Sequence, residues 1–343
     1  MSALDRVGSA LVDAVGPAAA VDAPLGALTT YRVGGRAAVL VRAEGTDQLV
    51  AVGRTLRALG GEVGVVPVVV IGKGSNLLVA DGGFPGVAVV LGDGLATVDV
   101  DVDTATVSAG GAAALPVVAR RSAAQGLTGF EWAVGVPGSI GGAVRMNAGG
   151  HGSDMAATLR RVRVVDLRSG EDGWMSSAAL ELGYRRSALA PHQVVVTAEL
   201  GLAPGDRAAA EAEISEIVRW RREHQPGGAN AGSVFTNPRG DSAGRLLDAA
   251  GAKGRRHGTA SVSTKHANFI QADEGGRADD VLALMAELRE LVRAHAGVDL
   301  HAETHLLGAS PQQAEAAGAR LLTGLEGTDV PTTPSNPRPE VEG

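Results

Sequence analysis

Ser233 is the side chain whose setting in this sequence most suggests chemistry. It follows Gly232 within residues 229–238, between a predicted helix that ends near Gln225 and a short apolar strand. No Gly-x-Ser-x-Gly motif surrounds it, and no acid–histidine pair for a hydrolase triad is evident. A serine held on a rigid turn can instead give a proton to a carbanion, which is general-acid catalysis. A plain turn, for which this composition is also typical, is the alternative.

Two glycine-rich segments are suited to holding a ligand through the backbone. In the first, after a predicted buried strand, successive N–H groups can converge on an anion. This segment lacks the third glycine and the following helix of a dinucleotide fingerprint, which disfavours a Rossmann domain. It could still bind the pyrophosphate of a flavin dinucleotide through a loop. The second is dense enough in glycine to lie against a flat or extended ligand. A turn without a ligand is the alternative for each. The first comprises Gly72, Lys73, Gly74, Ser75 and Asn76, and the second comprises Gly135, Val136, Pro137, Gly138, Ser139, Ile140, Gly141, Gly142 and Ala143.

Two further segments carry charged side chains. Arg185 follows Tyr184 ahead of a predicted strand, and its guanidinium fork suits a carboxylate or an enolate oxygen, with a surface salt bridge as the alternative. Glu303 lies between His301 and His305 on one face of a predicted strand. That trio could suggest a metal site, but no further ligands are apparent, so we predict no metal.

Composition limits the class of protein. The chain has 343 residues, of which 45% are hydrophobic, enough for two or three globular domains. Cysteine is absent, which excludes a disulfide scaffold, thiolate catalysis, Cys-ligated zinc and iron–sulfur clusters. No stretch reaches the ~18 apolar residues of a membrane span, and residues 1–10 lack a signal-peptide pattern. We therefore expect a cytoplasmic protein with no membrane partner.

The charge pattern favours a small anionic ligand. A net charge of −7 argues against a general nucleic-acid binder. Basic side chains nevertheless concentrate in the C-terminal third, which suits a ligand such as a nucleotide diphosphate, although a solvated surface is the alternative for any one cluster. They are Arg219, Arg221, Arg222, Lys253, Arg255, Arg256, His257, Lys265 and His266.

Strand and helix patterns alternate along the chain and set the positions of these segments. Hydrophobic spacing and capping residues predict the elements, and residues 126–152 read as glycine-rich and irregular. Prolines among Thr, Ser and Glu predict a disordered tail over residues 310–343. The predicted strands are 39–41, 65–71, 87–91, 98–109, 162–165 and 194–196; the predicted helices are 46–59, 115–124, 207–223 after a cap at Asp206, 245–250 opened by Ser242, and 278–296.

Taken in order, seven segments resemble the UDP-N-acetylenolpyruvoylglucosamine reductase (UDP-N-acetylmuramate dehydrogenase, MurB) family. They are residues 30–35, 72–76, 135–149, 184–187, 232–235 and 262–269, and Glu303. The resemblance extends from about Ala23 to Gly308. One departure is Gly150-His151-Gly152, where the family often has Ala-Tyr-Gly. The short connection from Tyr184 to Pro204 leaves no room for a long tyrosine-bearing loop, so the chain resembles the subgroup without it.

The resemblance implies an α+β fold. It combines a two-part FAD-binding unit of the vanillyl-alcohol oxidase (PCMH) type with a C-terminal α+β substrate-binding domain. We place the first FAD-binding subdomain at residues 1–95 and the second at 96–203. The UDP-sugar domain would be residues 204–309, followed by the tail at 310–343.

The resemblance also implies a reaction. It is NADPH-dependent, FAD-mediated reduction of UDP-N-acetylglucosamine enolpyruvate to UDP-N-acetylmuramate in peptidoglycan precursor synthesis. Hydride would pass from flavin N5 to C3, and Ser233 would give the proton to C2, while Arg185 and Glu303 stabilise the enol or enolate. The alternatives are a flavin oxidase or dehydrogenase of the same scaffold acting on another substrate, and a sugar-nucleotide-binding protein that kept the scaffold.

The same resemblance assigns the binding residues. FAD would be held by Tyr31 and by the two glycine-rich segments, 72–76 and 135–143. The partner is a small UDP-sugar, and we expect a monomer. The residues assigned to the substrate are Tyr184, His224, Asn237, Lys265 and His266.

Overall fold

The computed structural model describes residues 2–325 and has an α+β architecture of three packed units. The first unit is a four-stranded sheet in the order β1-β2-β5-β3, antiparallel at β1–β2 and parallel elsewhere. Helices α1 and α2 cover it, and α2 continues past the predicted stop at Gly60. The elements are α1 (Ala3–Val15), β1 (Ala19–Pro24), β2 (Arg36–Ala43), α2 (Thr46–Val63), β3 (Val68–Ile71), β4 (Leu77–Val79) and β5 (Phe84–Leu91).

The second unit is an antiparallel sheet of five strands in the order β12-β11-β13-β7-β6. One face of the sheet packs against α3 and α4, and on the other face Val165, Val194 and Val196 pack into the core of the first unit. The predicted bounds of α3 are confirmed. The elements are β6 (Val98–Asp101), β7 (Thr106–Gly110), α3 (Leu115–Ala124), β8 (Leu127–Thr128), α4 (Ile140–Met146), β9 (Gly149–Gly150), β10 (Ser153–Asp154), β11 (Leu159–Asp166), β12 (Asp172–Ser176), β13 (Gln193–Gly201) and β14 (Ala203–Pro204).

Helix α4 lies inside the region that the sequence predicts to be irregular. Gly141 and Gly142 open this helix, and a Cβ placed on Gly141 would come within 3.2 Å of the Gly111 carbonyl oxygen. A helix pressed this closely onto another backbone needs glycine, which normally lowers helix propensity. The expectation of an irregular segment was wrong because helix propensity takes no account of such a close approach between two backbones.

The third unit contains helices α6 and α7 and a three-stranded sheet in the order β15-β16-β17. The predicted bounds of α7 are confirmed, as are the caps at Asp206 and Ser242. The elements from residue 207 onward are α5 (Arg207–His224), α6 (Ala243–Ala249), β15 (Arg256–His257), β16 (Ala260–Val262), β17 (Ile270–Ala272), α7 (Ala278–Ala296), β18 (His305–Leu307), α8 (Pro311–Ala317) and β19 (Leu321–Leu322).

Helix α5 belongs to the second unit although it follows the expected boundary at residue 204. Its buried residues Ala210, Ile214 and Ile217 lie in the same core cluster as Phe130 and Trp132. These apolar residues cover the second unit, so the change from one core to the next comes after this helix.

The first and third units share both a sheet and a core. Strand β4 pairs in parallel with β18, which pairs on its other side with β19. Tyr31, Val33 and Leu78 are buried in the core of the third unit. Asp81 accepts hydrogen bonds from the backbone N–H groups of Ala278 and Asp279 at 3.0 and 3.3 Å, at the start of α7. These contacts fix the chain near residue 303, just before β18, relative to the loop before β4.

The segment after residue 309 differs from the expected disordered tail. Residues 310–325 contain α8 and β19, and the remaining residues, 326–343, lie outside the described part of the chain. Arg289 pairs with Asp299 at 2.6 Å and donates at 2.6 Å to the Glu315 carbonyl oxygen at the end of α8. Backbone pairing and this one arginine order a segment whose composition alone suggests disorder. Over residues 2–325, no helix has both the length and the apolar character to cross a membrane.

Candidate active site

Arg185 and Glu303 form an ion pair between the second and third units. The Nε atom of Arg185 lies 2.8 Å from Oε1 of Glu303, and their side chains are only 28% and 18% exposed. The Nε–H is not aligned as a hydrogen bond, so the attraction is mainly between the two charges. Burial raises the pKa of Glu303 above its ordinary value, and the neighbouring guanidinium offsets part of that rise.

Arg185 occupies a tight turn. The backbones of Gly183 and Arg186 exchange two hydrogen bonds of 3.1 Å across it. Arg185 itself has φ +55°, in the left-handed region that few non-glycine residues adopt. Tyr184 is exposed, with its ring centre 5.4 Å from the Arg185 guanidinium carbon. The turn thus sends the arginine toward Glu303 and leaves the tyrosine at the surface, where it is available to a ligand.

The turn before Ser233 is held by amide side chains. Gly232 has φ +77°, and its N–H donates to Oδ1 of Asn230 at 3.0 Å. On the other side, the buried Asn268 accepts from the N–H of Phe235 at 2.9 Å and donates to its carbonyl oxygen at 2.8 Å. The serine is therefore anchored on both sides, as a positioned proton donor requires.

Ser233 and Glu303 belong to adjacent, paired backbone segments. The N–H of Glu303 donates to the carbonyl oxygen of Val234 at 2.7 Å, and an antiparallel bridge joins Phe235 to Ala302. Arg185 reaches the same place through its ion pair. The backbone segments that carry Ser233 and Glu303 therefore adjoin, and Arg185 reaches Glu303 from the second unit, although the three residues are distant in sequence.

The two glycine-rich segments face each other across the first and second units. A Cβ placed on Gly72 would come within 2.5 Å of Ser139 Oγ, and one placed on Gly138 would lie 3.6 Å from Ser75 Oγ. The Ser139 hydroxyl is buried and has no hydrogen-bond partner among residues 2–325. Bare backbone beside a free buried hydroxyl fits a ligand rich in oxygen acceptors, such as the phosphates of FAD.

Asn76 connects the first glycine-rich segment to the acid. Its Nδ2 donates to the Glu303 carbonyl oxygen at 3.0 Å, and its own carbonyl oxygen accepts from the N–H of His305 at 3.1 Å. The segment assigned to FAD and the residues assigned to catalysis are thus in direct contact. This contact follows from the pairing of β4 with β18.

Tyr31 lies elsewhere than its assignment to FAD suggests. Its side chain is fully buried in the core of the third unit. Burial raises the pKa of the Tyr31 phenol. In this conformation the ring offers no surface to a ligand, and its role toward FAD stays a prediction.

Apart from Tyr184, the residues assigned to the UDP-sugar fall into two groups, one at the end of α5 and one at the start of α6. His224 stacks on Trp220 at 4.8 Å, and Lys265 donates at 2.5 Å to the Arg222 carbonyl oxygen, so both lie at the end of α5. Asn237 accepts at 3.1 Å from the first N–H of α6, where His266 lies against Gly244. Both groups flank the serine turn, and their contacts to a substrate stay predictions.

His151 takes the place at which the family often has tyrosine. Its ring lies edge-on to Trp220 at 5.4 Å, and a Cβ placed on Gly135 would come within 3.2 Å of it. Burial lowers the pKa of His151, and Arg221 acts in the same direction. The His151 ring therefore makes an aromatic contact with Trp220 beside the second glycine-rich segment.

Sequence reasoning missed three polar residues that hold the site together. Arg145 and Asn147 bond to the chain around Arg185, and Asn268 holds the serine turn. They were missed because their hydrogen-bond partners are backbone atoms distant in sequence. The one signal in the sequence was their place inside segments 135–149 and 262–269. Across residues 2–325, no group of three or more His, Cys, Asp or Glu side chains is placed to hold a metal ion.

Comparison with known proteins identifies relatives over most of the chain. Residues 37–172 match the FAD binding domain family model, and residues 224–307 match the model for the C-terminal domain of UDP-N-acetylenolpyruvoylglucosamine reductase. The reductase of Paramagnetospirillum magneticum is 42% identical over 84% of this chain and 91% of its own. That of Rubrobacter xylanophilus is 41% identical over 85% of this chain and 96% of its own. The crystal structure of the Thermus caldophilus enzyme (MurB) superposes with a TM-score of 0.72 at 33% identity, covering 84% of this chain and 98% of that one.

Proposed function

The chain belongs to the UDP-N-acetylenolpyruvoylglucosamine reductase family, and from this we propose that it reduces UDP-N-acetylglucosamine enolpyruvate to UDP-N-acetylmuramate with NADPH. It is an FAD-dependent oxidoreductase of the UDP-N-acetylmuramate dehydrogenase type, active in peptidoglycan precursor synthesis. The observation that carries the proposal is the junction where the Arg185–Glu303 pair meets the Ser233 turn and Asn76.

The backbone of residues 72–76 and 135–143, with the Ser139 hydroxyl, would hold FAD. The chemistry that bound FAD supplies is two-electron transfer from NADPH to C3 of the enolpyruvyl group. The protein must then manage the charge that this reduction leaves on C2 and the adjoining carboxylate.

Arg185 is the group suited to that charge. A guanidinium in a largely water-excluded site interacts strongly with a developing enolate and can grip the carboxylate with two parallel hydrogen bonds. Glu303 holds the guanidinium in place through the 2.8 Å ion pair. Burial raises the pKa of Glu303 while the Arg185 guanidinium lowers it, and Glu303 would stabilise the enol together with Arg185.

Ser233 would complete the reaction by giving its proton to C2. A serine hydroxyl is a poor acid, so the transfer depends on a strongly basic carbon and on donors already in place around it. The anchoring of the turn by Asn230 and Asn268 supports this role because a mobile hydroxyl would lose the required alignment. The basic groups at the ends of α5 and α6 would bind the UDP portion.

Anaerobic half-reactions test the proposal. NADPH should bleach the absorbance of bound FAD, and UDP-N-acetylglucosamine enolpyruvate should restore it. Ser233→Ala should spare the bleaching and slow the recovery by ~10²–10⁴-fold, the typical contribution of a general acid. Ser215→Ala, on the exposed face of α5, is the matched control and should behave as the wild type.

Three outcomes would count against the proposal. A protein that cannot be reconstituted with FAD would exclude both flavoenzyme readings and leave a sugar-nucleotide-binding protein. Bleaching by an organic donor but not by NADPH would indicate an oxidase or dehydrogenase of another substrate. Normal recovery in Ser233→Ala would show that the proton comes from another group.

A further inference from the structure

The end of α4 grips the chain on both sides of the turn that carries Arg185. Before the turn, Nδ2 of Asn147 donates to the Gly183 carbonyl oxygen at 3.2 Å. After the turn, the Ser187 hydroxyl donates to the Arg145 carbonyl oxygen at 2.8 Å. The chain on each side of the turn is thus hydrogen-bonded to the C-terminal end of the same short helix.

The Arg145 side chain extends this grip. Its Nη1 donates to the Leu189 carbonyl oxygen at 3.1 Å, and its Nη2 donates to those of Ala190 and Gln193 at 3.0 and 2.7 Å. Burial, with Arg320 acting in the same direction, lowers the pKa of Arg145 to about 10, so the group stays cationic at neutral pH. Charged hydrogen bonds of this kind are stronger than neutral ones and fix the path of the segment that receives them.

We propose that Arg145 is a positioning residue that holds Arg185 in its productive orientation, an inference that rests on the role of Arg185 in the proposed function. Arg185 has an uncommon left-handed backbone, and such conformations persist only where the surroundings enforce them. Arg145 and Ser187 supply four of the hydrogen bonds that do so. Loss of the anchor lets the guanidinium drift from Glu303.

Helix α4 also explains why the anchor lies where it does. Its N-terminal end is the glycine-rich segment whose Ser139 faces Gly72, and its C-terminal end bears Arg145. A short helix of about two turns therefore relates the segment assigned to FAD to the arginine assigned to the substrate. Displacements as small as about 1 Å can cost about 100-fold in rate, so a fixed spacing between the two has a clear advantage.

Half-reaction kinetics test the proposal. Arg145→Met should leave reduction by NADPH unchanged and slow re-oxidation by the enolpyruvyl substrate about 10- to 100-fold, with Arg145→Lys between it and the wild type. In an Arg185→Ala background, Arg145→Met should cause no further slowing because the group that it positions is already gone. Arg161→Met, which removes an exposed pair with Glu199, is the control. Equal slowing in both backgrounds, or no slowing in the first, overturns the proposal.

Limited trypsin digestion gives a readout that does not need the reaction. Cleavage after Arg185 or Arg186, identified by mass, reports opening of the turn. Arg145→Met should speed this cleavage about tenfold or more, whereas an unchanged rate overturns the proposal. If the wild type binds FAD but does not turn over the enolpyruvyl substrate, the proposed function fails while the digestion still decides the positioning role.

A milder variant guards against loss of the fold. Ser187→Ala removes the 2.8 Å hydrogen bond to the Arg145 carbonyl oxygen and a longer one of 3.4 Å from the Leu189 N–H, and it leaves the guanidinium contacts in place. If Arg145→Met does not fold, Ser187→Ala carries both measurements. It should raise the cleavage rate and slow re-oxidation about threefold to tenfold, as expected for the loss of one short and one long hydrogen bond. Wild-type values in both measurements overturn the proposal.

Discussion

Asn268→Asp tests whether one buried amide holds the serine turn. Asn268 is 3% exposed and faces the backbone of Phe235, which is 1% exposed. Its Oδ1 accepts from the Phe235 N–H at 2.9 Å, and its Nδ2 donates to the Phe235 carbonyl oxygen at 2.8 Å. Aspartate has nearly the same shape and keeps the first bond, but it places a second acceptor against the carbonyl oxygen.

The magnitude follows from these contacts. Leaving a buried carbonyl without its donor costs about 1–3 kcal/mol, and burying a carboxylate against it adds to that. We expect the free energy of unfolding at pH 7 to fall by about 2–4 kcal/mol. Burial should raise the pKa of the new carboxyl in the folded state, so its penalty applies at high pH and shrinks as the pH falls through that pKa. Below it, the protonated carboxyl can donate to the carbonyl oxygen and restore the second bond.

Urea unfolding at pH 7 and at pH 5 measures both effects. Asn237→Asp is the matched control because Asn237 is exposed and its Oδ1 accepts the first N–H of α6, which an aspartate oxygen also accepts. We expect a change below about 0.5 kcal/mol. Asn268→Asp should also slow re-oxidation of the flavin relative to its reduction, since Ser233 loses an anchor. A loss below about 0.5 kcal/mol at pH 7, or a loss that grows on acidification, would refute this account of the turn.

Three further predictions concern other parts of the molecule. Burial, with Arg320 and then Arg145 adding to it, lowers the pKa of His305 from 6.5 to about 4. Between those two pH values only the unfolded chain binds a proton at position 305, so the wild type loses stability as the pH falls. In His305→Gln this loss between pH 6.5 and 4 should be smaller by up to about 3 kcal/mol, measured by urea unfolding across that range. Gly74 has φ +61°, and a Cβ placed there would lie 2.6 Å from a backbone atom. Gly74→Ala should therefore lower stability by about 1–3 kcal/mol and reduce the FAD retained after gel filtration. In the control Gly82→Ala, the new Cβ meets nothing within 4 Å, so neither change is expected. Arg289→Met should cost about 1–3 kcal/mol and speed hydrogen exchange throughout α8, and an unchanged exchange rate would contradict the anchoring role.

Local patterns in the sequence were enough for five of the eight α-helices between residues 2 and 325. The helices predicted at 115–124 and 278–296 have those bounds in the structure, and the caps at Asp206 and Ser242 accept the expected backbone hydrogen bonds. Capping and hydrophobic spacing act between residues a few positions apart, so they can be read along the chain.

Elements fixed by distant contacts were not readable in that way. Helix α4 forms where glycines let it approach Gly111, and α8 is held by Arg289. The core of the second unit takes in α5, which moves the boundary past residue 204. Each of these outcomes depends on partners far away in sequence, which neither composition nor periodicity records.

For the site, the sequence determined which residue types are available and, through their order, which family they belong to. It supplied the serine, the arginine, the carboxylate and the two glycine-rich segments. Only the tertiary structure decided that Arg185 lies 2.8 Å from Glu303, that Asn76 bonds to Glu303, and that Arg145 donates to the chain just after the turn that carries Arg185. The reason is physical: a side chain's chemical nature is local, but its burial, its charge state and its distance from a partner are set by packing of the whole chain.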